Sequence, residues 1–359
     1  MTAGLLLSEN KRYLWASETT YGVDAVQAIL QDATKDIIYQ QVRNLDIVPE
    51  GAVVHVPRVR GSSGGNRSGF IQGKCNVSGE IPLTPFIGAA SPVPYSAPIL
   101  KAMNLKETIV GETSTYTPST AQQASVTIYE FTRAAETNKW RLMVVTGVRL
   151  SGNLTFSPRS EPIINIEGGG HYYRLSDAAA FFDSDGKIVL QKDGTTAVPA
   201  RDGGSEFIAD QDPLMCQGLG VQAESANLTV SEMTLTLNTT VTEIESISGD
   251  STISKFVVTR SNQDSRIGVG FNLSDYTEAV MDFFLDEYET AGEFELTAAL
   301  DSGSGKVSLA MGKVQIGIPA GSANNNVMQF EIPGFLNEDV STGLLGDNDF
   351  ELKFEASPT

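Results

Sequence analysis

The side chains that most often carry catalysis are scarce in this sequence. It has two histidines, His55 and His171, in separate strand-like regions. No Ser/His/Asp or Cys/His arrangement can be assembled around either, so both read as structural. Neither His-Glu-x-x-His nor Cys-x-x-Cys occurs, which removes two common metal and redox signatures. Cys75 and Cys216 lie far apart. Two cysteines in a chain of this length do not make a disulfide framework, and they read as buried free thiols in a reducing cytoplasm.

Three further stretches invite a chemical reading and resist it. "DSDG" at 183–186 lacks the later acidic positions of a calcium loop and fits a β-turn. "EGGGH" at 167–171 follows a strand, but nothing helical follows it and the G-x-G-x-x-G spacing is absent, so it is not a phosphate cradle. Gly168 reads instead as a strand-ending turn. The acidic run "DFFLDEYE" is the solvated side of a helix. The sequence therefore points to no catalytic residue, cofactor or metal, and the chain is expected not to be an enzyme. One loop stands apart: "RVRGSSGGNRSGF" joins two strands and carries Arg58, Arg60 and Arg67 in a chain poor in positive charge. It reads as a hairpin tip or as a basic arm docking on an acidic neighbour.

The elements that position these residues are mostly strands. Cys75, Val77, Ile81 and Leu83 share one parity, as do Phe294, Leu296, Ala298 and Leu300. That alternation predicts half-buried antiparallel strands, and Val148-Arg149-Leu150 reads the same way. Two helices are expected against this background. In "SAPILKAMNL", Ser96 is placed to cap and Pro98 suits a first turn. In "SDYTEAVMDFFLDEY", Asp275 with Glu278 predicts a capping box, and Tyr276, Val280, Phe283 and Phe284 fall on one face.

The order of elements repeats. Aligning Gly168 with Gly334 sets Ile166 on Ile332 and Ile164 on Phe330. The stretches starting at Lys139 and at Lys306 then run in parallel, each preceded by a strand and a helix. Residues 1–175 form the first expected domain and 223–359 the second. A linker at 176–222 carries a small hairpin, because two Asp-Gly pairs flank "KIVLQK".

Composition bounds the partners. The chain has 359 residues, with 25 Lys plus Arg against 44 Asp plus Glu, a formal net charge of −19. So acidic a chain is unsuited to gripping a nucleic-acid backbone or an anionic membrane surface. No apolar run is long enough to span a bilayer.

Several stretches together resemble the major tail-tube proteins of long-tailed bacteriophages. "SETTYGVDAVQAIL" is similar to that family's opening segment. "GEIPLTPFIGAASPVPYSAPILKAMNL" resembles its strand, Pro/Gly turn and helix, and "STYTPSTAQQASVTIYEF" the segment leading into the next strand. The resemblance runs over nearly the whole chain, through "MVVTGVRLSGNLTFSPRSEPIINIEGGG" and "PGFLNEDVSTGLLGDNDFELKFEA". It implies a mainly β fold with two tandem β-sandwich or half-barrel domains, each with one flanking α-helix. It also implies a trimeric, pseudo-hexameric ring that stacks into a tube for DNA ejection. Expected partners are other copies of itself and the tape-measure, tail-terminator and tail-tip proteins. The expected location is the virion tail, after assembly in the bacterial host cytoplasm. Arg58, Arg60 and Arg67 become candidate inter-ring contacts. The alternatives are a β-sandwich binding module for carbohydrate or surface adhesion, a secretion-system inner tube, and a hydrolase on a β scaffold.

Overall fold

The fold is that of a computed structural model. It describes residues 6–23, 38–39, 43–50, 53–56, 67–70, 74–83, 93–94, 96–119, 124–134, 140–157, 159–177, 190–191, 197–198, 215–224, 226–244, 255–260, 266–275, 277–301, 305–324, 327–337 and 349–356. The chain is mainly β.

The N-terminal half begins with β1 (Leu6–Ser17), β2 (Ile38–Tyr39), β3 (Asn44–Glu50) and the hairpin β4 (Val53–Val56) and β5 (Arg67–Phe70). Next come β6 (Lys74–Pro82), helix α1 (Ala97–Ala102), the hairpin β7 (Leu105–Val110) and β8 (Thr113–Pro118), β9 (Val126–Ala134), β10 (Trp140–Phe156) and β11 (Ile163–Asp177). Antiparallel ladders order one sheet as β1, β9, β10, β11, β6, β3. The expected parity holds: Cys75, Val77, Ile81 and Leu83 are all buried. Helix α1 carries Pro98 in its first turn, and Ser96 sits at its N-cap without a side-chain cap hydrogen bond. The hairpin expected in the middle of the chain is present as β12 (Leu190–Gln191) and β13 (Ala197–Val198).

The C-terminal half comprises β14 (Gly220–Ala223), β15 (Ala226–Thr236), β16 (Thr239–Ile244), β17 (Lys255–Arg260), β18 (Gly268–Asp275) and helix α2 (Glu278–Thr290). It ends with β19 (Phe294–Asp301), β20 (Gly305–Ile316), β21 (Ala320–Asn324), β22 (Val327–Leu336) and β23 (Glu351–Ala356). Strands β14, β19, β20, β22, β18 and β15 pair in that order, and β15 returns to β14. The closure makes a six-stranded barrel, which leaves those strands no open flank at the seam. Helix α2 lays Phe284 against Phe271 and Phe294, at ring-centroid distances of 5.6 and 5.9 Å. Its cap differs from the expected one. Asp275 is the last residue of β18, and Thr277 caps the helix, its side chain accepting from the Val280 N–H. Tyr276 lies outside the described residues.

Among the described residues, two ladders and one ribbon join the halves. The end of β10 pairs with β15, Leu154 opposite Leu235, and β8 pairs with β23, Tyr116 opposite Leu352. The β16–β17 ribbon lies over β10 and β11. This cover overturns one expectation. Instead of alternating, β10 is buried on both faces from Val144 to Ser151. Even Arg149 is only 2% exposed. The glycine run also differs from expectation. Gly168 to Gly170 do not end a strand, because β11 continues to Asp177.

Candidate functional site

A largely buried polar cluster lies where the ribbon meets the N-terminal sheet. Its first component is Glu18, just past β1. The carboxylate accepts from the Gly22 N–H at 2.8 Å, the Gly147 N–H at 2.6 Å, Ser125 Oγ at 2.6 Å and Thr127 Oγ1 at 2.9 Å. Gly147 supplies its amide from a bulge in β10, with φ at +65°. Bulges re-aim backbone groups in this way. Burial pushes the Glu18 carboxyl above its ordinary range, and the four donors pull it part of the way back.

The turn after Glu18 delivers Tyr21. Its hydroxyl accepts from the Phe256 N–H at 2.7 Å and lies 3.2 Å from His171 Nε2. Burial raises the phenol to about 12, so it stays neutral at physiological pH. Arg149 reaches the same target from β10, donating from Nη1 to the Phe256 carbonyl at 2.7 Å. Its guanidinium sits 4.9 Å from the centre of the Tyr21 ring, a cation–π distance. Thus both backbone polar groups of Phe256 are held by side chains of the N-terminal half. Its ring lies 5.3 Å from that of His171.

The glycines explain how Phe256 fits. A Cβ on Gly169 would come within 2.5 Å of Phe256 Cε1, and one on Gly168 within 2.0 Å of the Arg149 carbonyl oxygen. Gly169 therefore makes room for the crossing strand, and Gly168 for the close approach of its ladder neighbour β10. Lys74 adds a charged tie, 3.1 Å from Glu243 on β16 and 3.6 Å from Glu50 on β3. Its hydrogen bond and attraction to Glu243 raise its pKa.

Two cavities flank the ribbon. One of about 410 Å³ lies between Met103, Leu105 and Pro118 on one side and Leu237, Val257 and Ile267 on the other. One of about 360 Å³ lies over Gly168 and Gly169, beside Phe256 and Val241. Both are gaps at the junction between the halves. Among the described residues, no three His, Cys, Asp or Glu side chains converge as a metal site, and no helix is long and apolar enough to cross a membrane. Cys75 and Cys216 are buried free thiols, raised by burial to about 12 and about 11.

Of the arginines expected to act, Arg58 and Arg60 lie outside the described residues. Arg67 opens β5, its backbone opposite Val56. The residues of the Phe256 clamp carried weak sequence signals. Glu18 and Tyr21 sit in the "SETTYG" stretch, and Arg149 is a lone cation in an otherwise apolar run. Their common target, Phe256, is too remote in sequence for spacing to reveal it.

In comparison with known proteins, no protein-family model matches the chain. No curated protein matches it either.

Proposed function

We propose that this chain is a structural subunit of a phage tail tube, built from two tandem tube domains. In this reading three copies close a pseudo-hexameric ring, and rings stack into a conduit through which DNA passes. One observation carries the reading, namely the recurrence of strand order and register. The sheet order β1, β9, β10, β11, β6, β3 of the first half recurs as β14, β19, β20, β22, β18, β15 in the second. A helix follows β6 and β18 alike. Gly168 lies between Leu150 and Val77, and Gly334 between Ile316 and Val269. In sequence, Leu150 precedes Gly168 by the same interval as Ile316 precedes Gly334. In this reading each half is one six-strand tube domain with a helix beside it; among the described residues the second closes through β14 and β15, and the β7–β8 hairpin is extra in the first.

Assembly into a ring is supported by geometry and charge. Six such domains giving about four strands each would line a channel wider than 16–18-stranded barrels, which already hold water. A surface with net charge −19 repels phosphate and lets DNA slide without adhering. The Phe256 clamp serves this role by fixing one domain against the other, so that each chain presents a rigid double unit. The partners are further copies, with tape-measure, terminator and tip proteins at the ends of the tube. The protein belongs in the virion and performs no catalysis.

Negative-stain electron microscopy of the purified chain tests the reading. Rings or tubes of constant width with an axial hole are expected. Dispersed single particles at all concentrations, with binding to a glycan array, would favour the binding-module alternative.

A further inference from the structure

One of the strand pairs that join the two halves has a pseudo-symmetric counterpart that is left open among the described residues. The end of β10 pairs with β15, Asn153 opposite Thr236 and Thr155 opposite Thr234. In the C-terminal half, the strand corresponding to the end of β10 is β21. Asn153 pairs with Asn165 on β11, and Ala320 pairs with Glu331 on β22. Asn165 and Glu331 stand equally far before Gly168 and Gly334. In the N-terminal half, the strand corresponding to β15 is β3. Ile47 pairs with Val77, which pairs with Gly168, as Leu235 pairs with Val269, which pairs with Gly334. Leu45 and Ile47 are buried as Met233 and Leu235 are.

The counterparts differ in what covers them. Among the described residues, β10 and β15 each have strands on both flanks, whereas β3 pairs only with β6 and β21 only with β22. Each of these strands has exposed residues: Val48 is 55% exposed on β3, and Ala320 and Gly321 are exposed on β21. An uncovered edge with an exposed apolar side chain is a template for strand addition.

We propose that β21 of one copy pairs antiparallel with β3 of the next, in the register of the internal junction. Ala320 then faces Val48, Gly321 faces Ile47 and Ser322 faces Asp46. Pro49 and Pro319 fall opposite each other just past this ladder, where a missing amide stops pairing instead of interrupting it. The contact joins two different surfaces, so it is head-to-tail and generates a ring when the rotation closes. The pairing rests on the tandem-domain reading and specifies how its copies join.

Cysteine pairs test it in the full chain. Ala320→Cys with Val48→Cys, and separately Ser322→Cys with Asp46→Cys, are oxidised and run on non-reducing gels. The native thiols are buried, so background cross-linking is low. Both pairs should give a ladder of linked chains ending in a closed species. Chains carrying only Ala320→Cys mixed with chains carrying only Val48→Cys should stop at dimers. Rings visible by microscopy without linkage by either pair would overturn the β21–β3 contact and leave the ring reading standing. Linkage confined within single chains would also overturn it. Monomers without rings or linkage would remove both.

Discussion

Phe256 is held at its N–H by Tyr21, at its carbonyl by Arg149 and under its ring by Gly169, and each contact predicts a measurable loss. Tyr21→Phe strands a buried amide, so unfolding free energy should drop by about 1–3 kcal/mol in denaturant titrations. Gly169→Ala drives a methyl into the Phe256 ring and should cost about 1–3 kcal/mol. Phe256→Leu in that background should recover part of the loss, and failure to recover would show that the ring is not the obstacle. Glu18 contributes a pH dependence of known sign. Its folded-state pKa lies above the ordinary 4.5, so the folded chain holds the proton where the unfolded chain has released it. Its contribution is greatest at low pH and is lost as pH rises through the folded value. The melting temperature of the native chain minus that of Glu18→Gln should therefore fall across this window. A difference that stays flat or grows would contradict the assignment. None of these roles was legible from residue type. An arginine in an apolar strand shows that something polar meets it, but its partner lies on a strand more than a hundred residues away.

At the scale of elements, the parity of apolar residues was readable wherever a strand has one wet face, as in Lys74–Pro82 and Phe294–Asp301. It failed for β10 because the ribbon covers the second face, and such cover is a tertiary fact. The helix at 278–290 was also legible, although its start was displaced. Asp275 and Thr277 are both capping types, and the choice between them depended on how far β18 continues. Thr277→Ala should lower stability by about 1 kcal/mol. Ala291 terminates the same helix at φ +51°, so Ala291→Gly should raise stability by up to about 1 kcal/mol. Thermal melts of the two variants should move in opposite directions. Glycine runs were the most misleading element. "EGGGH" looked like an ending, yet its glycines lie mid-strand, laddered between β6 and β10, with Phe256 packed on Gly169.

For the whole molecule, the repeat was the sequence feature with the longest reach, and its register around Gly168 and Gly334 recurs in strand pairing. The sequence could not place the proposed seam between copies, since edge strands are defined by what fails to pair. The basic loop belongs to this scale too. If Arg58, Arg60 and Arg67 bind the adjacent ring, deleting residues 61–68 should leave single rings intact and abolish long tubes in micrographs. The mass of one ring tests the central claim most directly. Each chain is 38.4 kDa, and native mass spectrometry of the assembled protein should find trimers as the unit, with larger species in multiples of three. A strictly monomeric chain, or rings of six chains, would contradict the tandem-domain tube subunit.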